Sequence, residues 1–163
     1  MMRSKILRGA VPALLAVLAA SPALAAPAHS KAAGAPLAKD DPAWLDQCVK
    51  QAEAEGDNDT FGWGRCMLAH REALEATQTA LLARIDAHLA SKGPPGTDYK
   101  AGAASLATAQ RNWQAFVAAD CGLIANVFGD GTAEGLAEEE CVVLHARARN
   151  AQLRTFLDNY FGN

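Results

Sequence analysis

Four cysteines, Cys48, Cys66, Cys121 and Cys141, are the strongest chemical signal in the sequence. Two chemistries are open to them. An even number of cysteines in an exported chain reads as disulfides. Alternatively, Cys66-x-x-x-His70 and Cys141-x-x-x-His145 each set a thiolate and an imidazole one helical turn apart. Two such pairs on facing helices would make a tetrahedral Cys₂His₂ zinc site. That alternative lacks the short Cys-x-x-Cys spacing, and an oxidising compartment competes for the thiols. Disulfides are therefore the favoured reading, with His70 and His145 as ordinary helix-surface histidines. No Cys-x-x-Cys-His for haem attachment is present, and no cofactor is expected.

Catalytic constellations are missing from the sequence. It contains no Gly-x-Ser-x-Gly elbow, no phosphate-binding glycine loop and no His-Glu-x-x-His. Beyond residue 25 the serines are Ser30, Ser91 and Ser105, none in a context that suggests a nucleophile. A non-enzymatic protein is the expectation. Binding candidates are Phe61 and Trp63 in the glycine-rich segment 56–64, because aromatics on constrained loops anchor interfaces. The plainer alternative is that both rings fold back to plug the end of the molecule. Asp130, Glu138 and Glu139 are further candidates as a contact patch for a basic partner. The plainer reading of Glu138-Glu139-Glu140 is a solvated helix start, where negative charge complements the helix dipole.

The elements that position these residues follow from pattern. Residues 1–25 read as a signal peptide: Arg3, Lys5 and Arg8, an apolar stretch from Val11 to Ala20, and Ala23-Leu24-Ala25 before the cut. The apolar stretch is shorter than the ~20 residues a spanning helix needs. A soluble periplasmic or secreted protein with no stable membrane anchor is expected. Cleavage leaves 12 basic against 18 acidic residues, a net charge of −6. That argues against nucleic acid and anionic membrane surfaces and suits a cationic protein partner. Residues 26–39 read as a flexible leader, and 40–162 as one domain.

Within it, Asp41-Pro42 marks a helix start, and Gly56 ends that first short helix near 55. A second helix from Arg65 to Ser91 carries Met67, Leu74, Leu81, Ile85 and Leu89 on one stripe. Gly93-Pro94-Pro95-Gly96 stops it, and Thr97 or Asp98 caps a third helix lined by Leu106, Trp113, Phe116, Val117 and Ile124. After Gly129-Asp130-Gly131, a fourth helix over about 133–160 carries Leu136, Val143, Leu144, Leu153, Phe156, Leu157 and Tyr160. No segment has strand alternation. The expected fold is all-α: three long helices in an antiparallel up-down bundle, the short first helix across one end. Cys66, Cys121 and Cys141 then fall at one end, within reach of Cys48. Four cysteines allow three pairings, and sequence does not choose among them. The local pairing, Cys48–Cys66 and Cys121–Cys141, is favoured because it staples both glycine-containing loops.

Gln110-Arg-Asn-Trp113-Gln-Ala-Phe116, then Cys121, a glycine-containing loop, Cys141, Arg149 and Leu153, resembles the N-terminal domain of the LprI-type lysozyme inhibitors. The earlier pair, Cys48 and Cys66, belongs to the same pattern, and the resemblance spans about 48–156. It implies a small, secreted, disulfide-stapled helical domain that binds and blocks a lysozyme or related peptidoglycan hydrolase. Gln110, Trp113, Phe116, Arg149 and Leu153 are its structural marks. Val117-Ala118 stand where the family usually has Arg-Asp. The segment Leu74 to Leu81 lacks the family's Asp, Leu-Asn and Tyr. Competing expectations are a metal-binding bundle using Cys66, His70, Cys141 and His145, and an envelope structural protein with no specific ligand.

Overall fold

The computed structural model describes residues 36–57, 60–129 and 131–162; the signal-peptide segment, most of the leader and Asp130 lie outside the described residues. Four helices follow in order: α1 (Pro42–Ala54), α2 (Thr60–Leu89), α3 (Tyr99–Phe128) and α4 (Thr132–Phe161). No strand is present among the described residues.

Local chemistry sets the boundaries. The Asp41 carboxylate accepts a hydrogen bond from the Ala43 amide at 2.8 Å, and Pro42 takes the first helical position. Asp98 does the same for α3, accepting from the Ala101 amide at 2.9 Å. Gly56, at φ +83°, turns the chain after α1 in a conformation that costs a side-chain-bearing residue. The next turn is tighter. A Cβ on Gly62 would lie 2.1 Å from the Asp57 carbonyl oxygen, so this close approach requires glycine. Helix α2 therefore starts at Thr60, five residues before the expected Arg65, and takes Phe61 to Gly64 into its first turn.

Contacts along the helices fix their directions. Cys121 bonds Cys141, Gln110 meets Arg149, and Tyr99 meets Phe161, so α3 and α4 are antiparallel. Gln110 also meets Gln78, and Gly102 approaches Leu89, so α2 and α3 are antiparallel too. Helices α2 and α4 consequently run parallel, from Arg71 with Glu139 to His88 with Phe161. The up-down arrangement is as expected. Helix α1 is not across an end: Asp40 meets Thr77, Trp44 meets His70, and Cys48 meets Cys66, so it lies antiparallel along the first half of α2.

The α2–α4 seam is the core. Beyond the disulfide level, the buried positions along this seam are 67, 70, 74, 78, 81 and 85 on α2 and 143, 146, 150, 153 and 157 on α4. Steps of three and four are the spacing that keeps facing helices in register. Met67, Leu74, Val143 and Ala146 form one cluster, with Leu45 of α1 packed on it. Leu81, Ile85, Leu153 and Leu157 form a second towards the far end. A third joins α3 to α4 through Val117, Cys121 and Cys141, with Trp113 against it.

Several expected core residues lie outside this seam. Phe116 is 54% exposed, and Leu144, Phe156 and Tyr160 are exposed as well. An Ala-rich helix with one long neighbour on each side buries only a narrow stripe, and these residues sit one step off it.

Candidate functional site

Both disulfides form at one end of the bundle. Cys48 bonds Cys66 and Cys121 bonds Cys141, the favoured local pairing, and no free cysteine is present among the described residues. This overturns the zinc alternative. Cys66 and Cys141 have no thiolate to offer, and their sulfurs belong to different bridges. Candidate ligand atoms of Cys121, Cys141 and His145 do cluster within 4.8 Å. The two sulfurs are bonded to each other, and the His145 Nε2 is 2.7 Å from the Asp120 carboxylate.

His70, read as a surface histidine, is fully buried. Its Nδ1 donates to the Lys39 carbonyl, and its Nε2 accepts from Arg147 Nε at 3.0 Å and Nη2 at 2.8 Å. A carbonyl can only accept and a guanidinium can only donate, so these partners require neutral imidazole protonated at Nδ1. Trp44 stacks near it at 6.3 Å. The adjacent Asp40 carboxylate accepts from Thr77 at 2.9 Å and pairs with Arg154 at 3.3 Å. The segment before α1 is thus latched onto α2 and α4. Burial pushes the His70 pKa below its ordinary 6.5, and the Arg147 charge adds to this; the Lys39 carbonyl, Asp40 and Asp41 oppose it.

A pH dependence follows. The unfolded chain protonates His70 near pH 6.5 and the folded chain only at lower pH, so unfolding takes up a proton between the two. The contribution of neutral His70 is complete above about pH 6.5 and is lost as pH falls from there towards the folded value. Urea unfolding should therefore give lower stability at pH 5.5 than at pH 7.5, and His70→Gln should flatten that slope. An unchanged slope in the variant would refute the assignment.

The marks of the Gln-Trp-Phe pattern have a structural use. Gln110 donates to Gln78 at 2.9 Å and accepts from Arg149 at 3.2 Å, tying three helices together. Val117, in place of the family's Arg, is buried against the Cys121–Cys141 bridge, while Ala118 is exposed. The polar tie between α3 and α4 at this level is Asp120 with His145, and Phe116 lies edge-on to His145 at 5.2 Å.

The proposed contact residues surround the stapled end. Phe61 is 73% exposed and Trp63 43% exposed, so neither ring plugs the bundle. They face different grooves. Trp63 borders one of about 620 Å³ between α1 and α4, floored by Leu45, Val49, Met67 and Val143 and edged by Asp46, Glu53 and Glu140. Phe61 lines a shallower one with Leu68, Leu136 and Glu139. Glu138 is exposed, whereas Glu139 is half-buried and bonded at 2.5 Å to Arg71, which also holds Glu75. Leu123, Val127 and Phe128 are exposed on the last turns of α3 and add to the same end. The sequence analysis singles out none of the three as a binding candidate.

The arrangement defines a disulfide-stapled up-down helical bundle whose tied end presents exposed aromatic and aliphatic side chains among carboxylates. A family model, lysozyme inhibitor LprI, matches residues 51–153, and the chain belongs to that family. The match covers Gln110, Trp113, Phe116, Arg149 and Leu153 and three of the four cysteines; Cys48 lies just before it. No curated protein and no solved structure matches the sequence. Among the described residues, no helix is long and apolar enough to cross a membrane.

Proposed function

We propose that this protein is exported and binds a cationic lysozyme-type hydrolase through its stapled end, blocking the enzyme without chemistry of its own. The observation that carries the reading is the placement of Phe61, Trp63, Leu123, Val127 and Phe128 in solvent at the end the two disulfides hold, in a chain of the LprI family. Single apolar side chains are common on surfaces; a group of large ones at one end is a feature of interaction sites. Covalent ties remove freedom before binding, which lowers the entropic cost of docking. Glu53, Glu138 and Glu140 beside the patch favour a basic partner, with the benefit mainly in encounter rate and specificity. Basic residues are nearby too: Arg65 and Arg71 are each paired with carboxylates, and Lys50 and Arg147 line the Trp63 groove together with Asp46, Glu53 and Glu140.

The test is lysis of a cell-wall substrate by a lysozyme with the signal-free protein added. Stoichiometric slowing is expected, with Trp63→Ala weakening it at least tenfold, in the range of a buried aromatic anchor. No slowing by any lysozyme tested, at inhibitor concentrations far above the enzyme's, refutes the reading.

A further inference from the structure

The end of the bundle opposite the disulfides has its own cavity. It lies where α2, α3 and α4 meet, has a volume of about 430 Å³, and its walls are apolar: Leu89, Gly102, Leu106, Ala109, Leu153 and Phe156. Its origin is in the sequence of α3. Gly102, Ser105 and Ala109 occur at steps of three and four along its α3 wall, Ser105 and Ala109 at the solvent-exposed side, so Leu106 is left as the large side chain reaching in from α3. Small residues at these positions hold the helices at a spacing that the neighbouring side chains do not fill.

Arg149 closes one side of this space. It is half-buried, donating from Nε to Gln110 at 3.2 Å and from Nη1 to Gln152 at 3.4 Å. A guanidinium has five N–H donors, so three are unspent, including both on Nη2. No carboxylate among the described residues pairs with Arg149, in contrast to Arg65, Arg71 and Arg154. Burial alone perturbs it, with no compensating negative charge. Holding a charge partly out of water with no counter-charge is costly unless something supplies one. A cavity within the size range of small-molecule sites, mainly apolar, with Arg149 as its one charged lining residue beside the neutral Ser105 and Gln152, is complementary to a molecule with an apolar body and an anionic head.

We infer that the cavity bounded by α2, α3 and α4 binds a small anionic amphiphile, an alkyl carboxylate, with its chain among Leu89, Leu106, Leu153 and Phe156 and its carboxylate on Arg149. This site is separate from the stapled end, and its test does not depend on any lysozyme.

Calorimetric titration of the folded chain at pH 7.5 uses three ten-carbon probes below their micelle concentrations: decanoate, decanol and decyltrimethylammonium. Decanoate should bind saturably with one site, decanol at least tenfold more weakly, and the cation not at all. Arg149→Gln should reduce decanoate to the level of decanol, and Arg149→Lys should keep the preference for the anion. Arg149 also holds Gln110, so each variant's thermal transition is recorded alongside. Ala109→Phe fills the cavity, leaves the arginine in place, and should abolish binding of both decanoate and decanol. Absence of saturable decanoate binding, equal affinity for the three probes, or undiminished binding by Ala109→Phe would each overturn the inference.

Discussion

Replacing Cys121 and Cys141 together by alanine should lower the unfolding free energy by about 3 kcal/mol. The bridge closes a loop with a sequence separation of 20, and chain entropy alone assigns a loop of this length ~3 kcal/mol. Both sulfurs are buried with Val117, so losing their contacts adds to that figure. Against a total of ~5–15 kcal/mol for a domain of this size, the loss is large. The Cys48–Cys66 bridge closes a similar loop of separation 18 but ties a different kind of element. Helix α1 has 13 residues, too short to persist alone in water, and Ala52 is its one buried residue. Its remaining ties are Leu45, Trp44 and the latch before it. Removing Cys48–Cys66 should therefore release α1 locally, raising its amide exchange, while the bundle's urea midpoint moves less than for the other pair. Urea denaturation with linear extrapolation measures the difference. A Cys121→Ala/Cys141→Ala protein within 1 kcal/mol of the parent would show that the bridge is dispensable.

This asymmetry between the bridges was only half legible in the sequence. The spacing of Met67, Leu74, Leu81 and Ile85 identified the buried stripe of α2, and the Gly-Pro-Pro-Gly stop and the Asp41 and Asp98 caps placed the helix ends. These are local signals, and local signals survive in a string of residues. The polar members of the seam did not read as core. His70, Gln78 and Asn150 occupy seam positions, but hydropathy assigns them to the surface. Their burial depends on partners far along the chain: Arg147 for His70, Gln110 for Gln78, and the Leu74 carbonyl, at 2.9 Å, for Asn150. Phe116 failed in the opposite direction. It is large and apolar at a plausible spacing, yet Val117 beside it takes the inward position. One step along a helix is about 100°, enough to exchange core for solvent. The site at the stapled end was legible where glycine and aromatic residues coincide. Leu123 and Val127, inside an unbroken helical pattern, carried no mark separating an exposed apolar residue from a buried one.

The bundle consequently has two differently held ends, and a cavity in the unstapled one should be costly. The stapled half of the seam combines apolar contacts with His70, Asn150 and covalent bridges. The far half has no bridge, and Leu81, Ile85, Leu153 and Leu157 are its buried apolar cluster. Leu157→Ala should lower stability by about 2–5 kcal/mol, the sum of lost transfer free energy and the cavity left behind. Leu157 is 1% exposed and shares its cluster with Ile85, a fully buried side chain of α2. The cost depends on how far the surroundings close in. Leu82, Leu89, Leu106 and Phe161 are partly buried against this cluster and can relax into some of the space. The loss should thus fall in the middle of the range. Leu157→Met keeps the volume and should cost less than ~1.5 kcal/mol, which separates loss of packing from loss of leucine as such. Urea midpoints of the two variants decide the matter. If Leu157→Ala unfolds no more easily than Leu157→Met, the far cluster does not hold that end together, and the bridges at the other end stabilise the whole bundle.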